Sequence, residues 1–137
     1  MMDWDDCINK RLIKEARIDE NLMNSLIKSS KNKLKSNERL EIDKDTATTK
    51  ISIVYDSLRE VLEALAIKKG YKIYNHECFC AFLEEVCKDK SLSLEFNKFR
   101  KIRNAINYYG KDVTINDAKL IIREIILLRK NILELLD

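Results

Sequence analysis

The sequence predicts an all-α protein, an up-and-down bundle of four to five antiparallel helices. The 137-residue chain has no proline and only two glycines, Gly70 and Gly110, which are fewer turn residues than a sheet protein needs. Hydrophobic residues make up 45% of it and charged residues 36%, a balance typical of a folded helical protein with a charged exterior. No linker or internal repeat divides residues 1–137, so we expect a single domain.

The first half of the chain is predicted to form three helices. The first runs from about Trp4 to Ala16, and the second follows the N-cap residue Asp19 and ends near Leu40. The third begins after Asp43 or Asp45 and ends at Gly70, where a glycine can adopt the left-handed conformation that closes a helix. Its inner stripe comprises Ile51, Val54, Tyr55, Leu58, Val61, Leu62 and Leu65.

The second half is predicted to contain the remaining helices. Residues 71–74 form a short connection, and Asn75 then caps a helix that carries Phe79, Phe82, Leu83 and Val86. After a basic loop at residues 88–91, Ser93 caps a helix that ends at Gly110. Thr114 opens the last helix, with Asp117 placed as in a near match to a capping box. Apolar residues cover most of the circumference of that helix, so it either lies at the centre of the bundle or is shared with a second subunit.

The helix that ends at Gly110 has an unusual polar side. At 3.6 residues per turn, Phe99, Ile102, Ile106 and Tyr109 form an apolar row. The neighbouring row, called the motif row below, combines two guanidinium groups, two amides and a phenol, from Arg100, Arg103, Asn104, Asn107 and Tyr108. Such groups suit phosphate and base recognition. The alternative is an ordinary solvated face, which charged helices commonly present.

The charge distribution is compatible with a polyanionic partner. The net charge is only +3, but residues 88–111 carry seven cations against two carboxylates, and residues 28–39 carry five cations against one. The acidic start and the absence of long uninterrupted apolar runs predict a cytoplasmic protein without a membrane segment. We therefore expect all four cysteines to be reduced.

No other cluster points to a reactive centre. Cys78 and Cys80 point to different helix faces, Cys80 and Cys87 share a face, and Cys7 is isolated, so we expect no metal site. No catalytic triad, glycine-rich phosphate loop or acidic cluster can be assembled, and we expect no cofactor. His76, the only histidine, is expected to have a structural role near a helix start.

The sequence Arg103-Asn104-x-x-x-Tyr108-Tyr109-Gly110, preceded by a helix ending in Gly70 and by Ile73-Tyr74-Asn75-His76, resembles the HEPN family. The resemblance extends from about Tyr55 to the end of the chain. It implies a homodimeric helical bundle in which the motif helices of two subunits meet across a cleft. Active members are metal-independent ribonucleases that use an arginine, the polar residue after it and a histidine.

Carried over to this chain, the arginine is Arg103 and the polar residue is Asn104, but the histidine position is Tyr108. Tyrosine titrates near ~10, so it is a poor base near neutral pH. The resemblance therefore implies an RNA- or nucleotide-binding homodimer with a degenerate ribonuclease motif, in a toxin–antitoxin or defence system beside a minimal nucleotidyltransferase. The residues expected to contact nucleic acid are Arg100, Arg103, Asn107, Tyr108 and Tyr109.

Two alternatives remain open. The first is a metal-independent endoribonuclease with Arg103, Asn104 and an atypical Tyr108 as catalytic residues. The second is a non-catalytic interaction module, in which the motif row only forms a polar dimer seam.

Overall fold

The computed structural model describes all residues from Met1 to Asp137 and is a helical bundle. Six helices are present: α1 (Trp4–Asn9), α2 (Glu20–Arg39), α3 (Ala47–Lys68), α4 (His76–Glu85), α5 (Lys90–Tyr109) and α6 (Ile115–Glu134). Two short strands, β1 (Ile13–Glu15) and β2 (Tyr71–Ile73), pair antiparallel, with Ile13 opposite Ile73. The all-α prediction is confirmed apart from this two-stranded ribbon. None of the helices is both long and apolar enough to cross a membrane.

Helix α3 lies at the centre of the bundle. It packs against α2, α5, α6 and β2, while α4 packs mainly on α5. The inner stripe expected for α3 is fully buried, and its neighbours supply Phe79, Phe82, Phe96 and Phe99 to the same core. The centre is therefore α3 rather than the last helix. Helix α6 buries one face through Ala118, Ile122, Ile125, Leu128 and Ile132, and it leaves Leu120 and Leu127 exposed.

Several helix boundaries are set by local capping residues. The side chains of Asp19, Asn75 and Thr114 accept backbone hydrogen bonds at the starts of α2, α4 and α6, as predicted. Gly110 ends α5 in the left-handed conformation, at φ 61°. The predicted cap of α5 is wrong. Asp89 accepts from the Leu92 amide and starts the helix at Lys90, whereas Ser93 is buried and donates to the Cys80 carbonyl.

The prediction of one helix over Trp4–Ala16 is also wrong. Helix α1 ends after Asn9, because Arg11 adopts a left-handed φ of 59° and the chain turns there. The Arg11 amide donates to the Ile8 carbonyl and the Leu12 amide to the Cys7 carbonyl, the two bonds of a Schellman motif. The chain then continues as β1, and residues 71–73, expected to be a simple connection, are its partner strand.

The expectation of four reduced cysteines is contradicted by a disulfide between Cys7 and Cys78. The two Cα atoms are 6.0 Å apart, and the bond joins α1 to the first turn of α4. Both cysteines are fully buried, in a small cluster with Ile13 and Ala81. Cys80 and Cys87 are free. Burial raises the pKa of the Cys80 thiol to about 11, which makes it a poor nucleophile.

Candidate functional site

A cleft of about 300 Å³ opens between the first turn of α4 and the C-terminal half of α5. It brings together most of the motif row and the only histidine of the chain. Its lining residues are Met2, Tyr74, Asn75, His76, Glu77, Arg100, Arg103, Asn104 and Tyr108. The residues from 74 to 77 are held there by the β2–α4 junction, where Asn75 caps α4 by accepting from the Glu77 amide at 2.8 Å.

Arg103 carries a positive charge that no carboxylate of the chain neutralises. Its guanidinium carbon lies 5.4 Å from the centroid of the Tyr55 ring, within cation–π range. Its Nε atom is buried and has no hydrogen-bond partner. None of the ion pairs in the structure involves Arg103. This guanidinium is therefore free to bind an anion at the floor of the cleft.

Arg100 is oriented by its neighbours. Its Nε and Nη2 atoms donate to Asn97 Oδ1 at 3.2 and 2.7 Å, and Nη2 lies 3.7 Å from Glu77 Oε1. The other oxygen of Glu77 accepts from the Met2 amide at 3.0 Å. Glu77 thus offsets part of the Arg100 charge, and the cleft keeps a net positive charge from Arg103.

His76 is the first residue of α4, and its imidazole is joined to the buried face of α3. Nδ1 lies 3.1 Å from the hydroxyl oxygen of Tyr55, and the ring also packs against Phe79. Burial, the largest cause, and the charges of Arg59, Arg103 and Arg100 together lower the pKa of His76 to about 4. The imidazole is therefore neutral near pH 7. Burial also raises the pKa of Tyr55, so its hydroxyl keeps its proton.

The structure brings together some of the expected contact residues and separates others. Arg100, Arg103, Asn104 and Tyr108 line the cleft, with Tyr108 at its rim and 72% exposed. Asn107 and Tyr109 are exposed and lie outside its lining, because the helix turns them away. Tyr109 is 85% exposed, so the last member of the expected apolar row does not pack.

Sequence reasoning missed Met2, Tyr74 and Glu77, which line the cleft, and it missed the role of Tyr55, which lies beneath Arg103. Tyr55 could be recognised only as a core residue, because its position beneath Arg103 depends on how α3 packs on α5. His76 was expected to be structural, and it lies in the cleft beside the motif residues. The sequence did contain one signal for the position of His76, the helix cap at Asn75, because this cap fixes where α4 begins.

Comparisons of the chain with protein-family models, with curated proteins and with solved structures find no match. The chemistry of the cleft is therefore assigned from its own residues.

Proposed function

We propose that this protein binds RNA or a nucleotide in the cleft between α4 and α5, with a phosphate held by Arg103 and Arg100. The observation that carries the proposal is the half-buried Arg103 guanidinium, which lies over the Tyr55 ring and has no carboxylate partner. Burying a cation without a counter-ion is unfavourable, and the planar guanidinium matches the oxygens of a phosphate. A bound phosphate would supply the missing counter-ion.

Two exposed aromatic rings at the cleft support a nucleic-acid ligand over a bare phosphate. Tyr74 is 62% exposed and Tyr108 is 72% exposed, and both line the same opening as the arginines. Aromatic rings beside cationic groups are the usual platform for unpaired bases, and stacking contributes about 1–3 kcal/mol per base. Single-stranded RNA or a nucleotide offers both a phosphate and a free base.

The resemblance to HEPN proteins is consistent with this proposal. The residues at the three motif positions, Arg103, Asn104 and Tyr108 (a tyrosine in place of the histidine), all line one cleft. Membership of that family, a toxin–antitoxin or defence role and a minimal nucleotidyltransferase partner remain predictions. A cytoplasmic location also remains a prediction, and the Cys7–Cys78 bond argues against it, because disulfides are rare where thiols are kept reduced.

A homodimer is part of the proposal, supported by apolar surface on α6. Leu120 and Leu127 lie seven residues apart, on one side of the helix, and are 49% and 58% exposed. Beside them, a groove of about 420 Å³ between α5 and α6 is lined in part by Ile102, Ile106 and Ile121. Apolar surface of this kind is typical of subunit contacts.

A metal-independent endoribonuclease is the second candidate, and one observation favours it. The motif position holds Tyr108 and not a histidine, but an imidazole is still present in the cleft, because His76 of α4 lines it together with Arg103. Cleavage through the 2′-hydroxyl needs a group that accepts its proton, and imidazole is the commonest such group.

Binding of a single-stranded RNA at several salt concentrations tests the first proposal. Arg103→Ala should weaken binding at least about tenfold, since hydrogen bonds to charged groups contribute about 1.5–3 kcal/mol. It should also reduce the slope of log affinity against log salt by about 0.7. Arg123→Ala is the matched control, because Arg123 is exposed on α6 and lies outside the cleft. Equal affinities for wild type and Arg103→Ala would contradict the proposal.

Incubation of mixed RNAs with the protein in EDTA separates the two candidates. Cleavage by the wild type that is lost in Arg103→Ala would establish the nuclease. Binding without cleavage would leave the binding function.

Sedimentation of Leu120→Lys and Leu127→Lys variants tests the dimer, which should dissociate when charge is placed on the shared apolar face. A monomeric wild-type protein would contradict the dimer.

A further inference from the structure

The geometry points to His76 as a third hydrogen-bond donor to a phosphate ester in this cleft, with Tyr55 fixing which imidazole nitrogen carries the proton. The inference rests on the proposed binding function and deepens it. In the assigned arrangement the Tyr55 hydroxyl donates to Nδ1, and Nε2–H on the other side of the ring donates to a ligand oxygen. Arg100 and Arg103 supply the remaining donors.

The assignment of the proton follows from the surroundings of Tyr55. Its side chain is fully buried, and the hydroxyl has a single hydrogen-bond partner, Nδ1 of His76 at 3.1 Å. A buried hydroxyl proton without an acceptor is unfavourable, so the hydroxyl donates and Nδ1 accepts. A neutral imidazole carries one proton, which must then reside on Nε2.

The charges around His76 keep the ring neutral over the ordinary pH range. Glu77 supplies the carboxylate that faces the ring, and both of its oxygens have partners in the Met2 amide and Arg100. Burial and three arginines lower the pKa of His76 to about 4. The titratable and charged groups facing the ring are Tyr55 and Arg59 on α3, Glu77 on α4, and Arg100 and Arg103 on α5.

A neutral Nε2–H group makes His76 a binding residue and not a base. The protonated nitrogen has no lone pair with which to accept the proton of a 2′-hydroxyl, and the other nitrogen is occupied by Tyr55. This arrangement favours the binding function over the endoribonuclease, because it leaves His76 unable to act as the base that cleavage through the 2′-hydroxyl needs. The ligand is a phosphate ester, either the terminal phosphate of a nucleotide or an internal phosphodiester of RNA.

The imidazole can be examined directly, because His76 is the only histidine and every imidazole signal belongs to it. A long-range ¹H–¹⁵N correlation spectrum of the free protein at neutral pH should show the proton on Nε2. In Tyr55→Phe the hydroxyl donor is lost, and the spectrum should shift toward a mixture of the two neutral forms. A wild-type spectrum with the proton on Nδ1, or with both nitrogens protonated, would overturn the inference.

Binding measurements then test the role of the donor, with AMP as a phosphate monoester and the dinucleotide ApA as a phosphate diester. His76→Ala should weaken binding of the favoured probe about tenfold, whereas His76→Gln, whose amide nitrogen can replace Nε2–H, should retain most of the affinity. Asn116→Ala, exposed on α6, is the control and should bind like the wild type. Tighter binding of AMP than of ApA assigns the cleft to terminal phosphates, and binding of ApA at least as tight as that of AMP assigns it to internal ones.

The last test is the pH dependence of the affinity for ApA. The charge of ApA does not change between pH 8 and about 5.5, and His76 stays neutral over this range, so the affinity should be constant. Affinity that rises as the pH falls would show a cationic His76 and overturn the inference.

Loss of binding in Arg103→Ala but not in His76→Ala would also overturn it and leave the proposed function standing. Failure of the wild type to bind either probe would reject the proposed function itself.

Discussion

The hydroxyl oxygen of Tyr55 lies 3.1 Å from Nδ1 of His76, and this bond connects the centre of the bundle to the wall of the cleft. Tyr55 also supports Arg103, whose guanidinium lies over the same ring. One core residue thus positions both an imidazole and a guanidinium. Because α3 is the most buried helix, the cleft has a rigid floor.

The depressed pKa of His76 predicts a loss of stability in acid. The unfolded chain takes up a proton at this residue near pH 6.5, whereas the folded protein does so only near pH 4. Stability is therefore fully present above pH 6.5 and falls as the pH is lowered toward 4. The loss should be about 1–2 kcal/mol after allowing for solvent screening of a partly exposed ring. Urea denaturation at a series of pH values measures it.

His76→Gln is the control for this prediction, because the amide cannot titrate. The difference in unfolding free energy between wild type and variant should change between pH 6.5 and 4 and be constant above pH 6.5. Comparison of the pair removes the contribution of Glu63, whose pKa is raised by burial and whose effect has the opposite sign. A difference that does not change with pH would contradict the proposed environment of His76.

Local signals in the sequence predicted much of the fold. Capping residues such as Asp19, Asn75 and Thr114, together with Gly110, act within one helical turn, so they could be recognised without tertiary information. The break after α1 could not be recognised in this way. Arg11 occupies the left-handed position that glycine usually takes, and packing of the following strand holds it there.

Contacts between distant parts of the chain were not predictable from the sequence. The pairing of Ile13 with Ile73 and the disulfide from Cys7 to Cys78 both depend on how α1 is folded back onto α4. The same holds for the cleft. The helical row of Arg100, Arg103 and Asn104 follows from the periodicity, but its meeting with His76 depends on the packing of α4 on α5.

The disulfide predicts a specific thiol count. Denatured protein that has not been reduced should show two reactive thiols, from Cys80 and Cys87, and four after reduction. Reduction should lower the unfolding free energy by about 2–4 kcal/mol, because the bond joins positions 71 residues apart and restricts the unfolded chain. Cys7→Ser should show the same loss, and Cys87→Ser should not. Four reactive thiols before reduction would contradict the bond.

Substitution of Gly110 should affect the backbone conformation at the end of α5. Its φ is 61°, and a Cβ atom there would meet nothing within 4 Å, so substitution affects only the backbone conformation. Gly110→Ala should cost about 1–2 kcal/mol of unfolding free energy, and Gly110→Asn should cost less because asparagine tolerates the left-handed region. Equal losses in the two variants would point to a contact rather than to backbone strain. Denaturation curves of the two variants and the wild type provide the comparison.

The last prediction concerns a buried polar network that lies apart from the cleft. The Ser30 hydroxyl donates to the Ser57 carbonyl and accepts from Arg129 Nε, each at 2.7 Å, and Arg129 Nη2 is buried without a partner. Ser30→Ala would leave the Arg129 Nε donor unpaired as well, with an expected loss of about 2–3 kcal/mol in urea denaturation.

Arg129→Met should be much less damaging than Ser30→Ala, although it removes a larger polar group. Methionine fills similar space and eliminates a buried cation that has no carboxylate partner. In the double variant the loss from Ser30→Ala should shrink, since no donor is then left unpaired. Ser36→Ala, exposed on the same helix as Ser30, serves as the matched control. The 2.7 Å contact between Arg129 Nε and the Ser30 hydroxyl implies that the two side chains are energetically coupled. Strictly additive losses of unfolding free energy in the double variant would contradict this coupling.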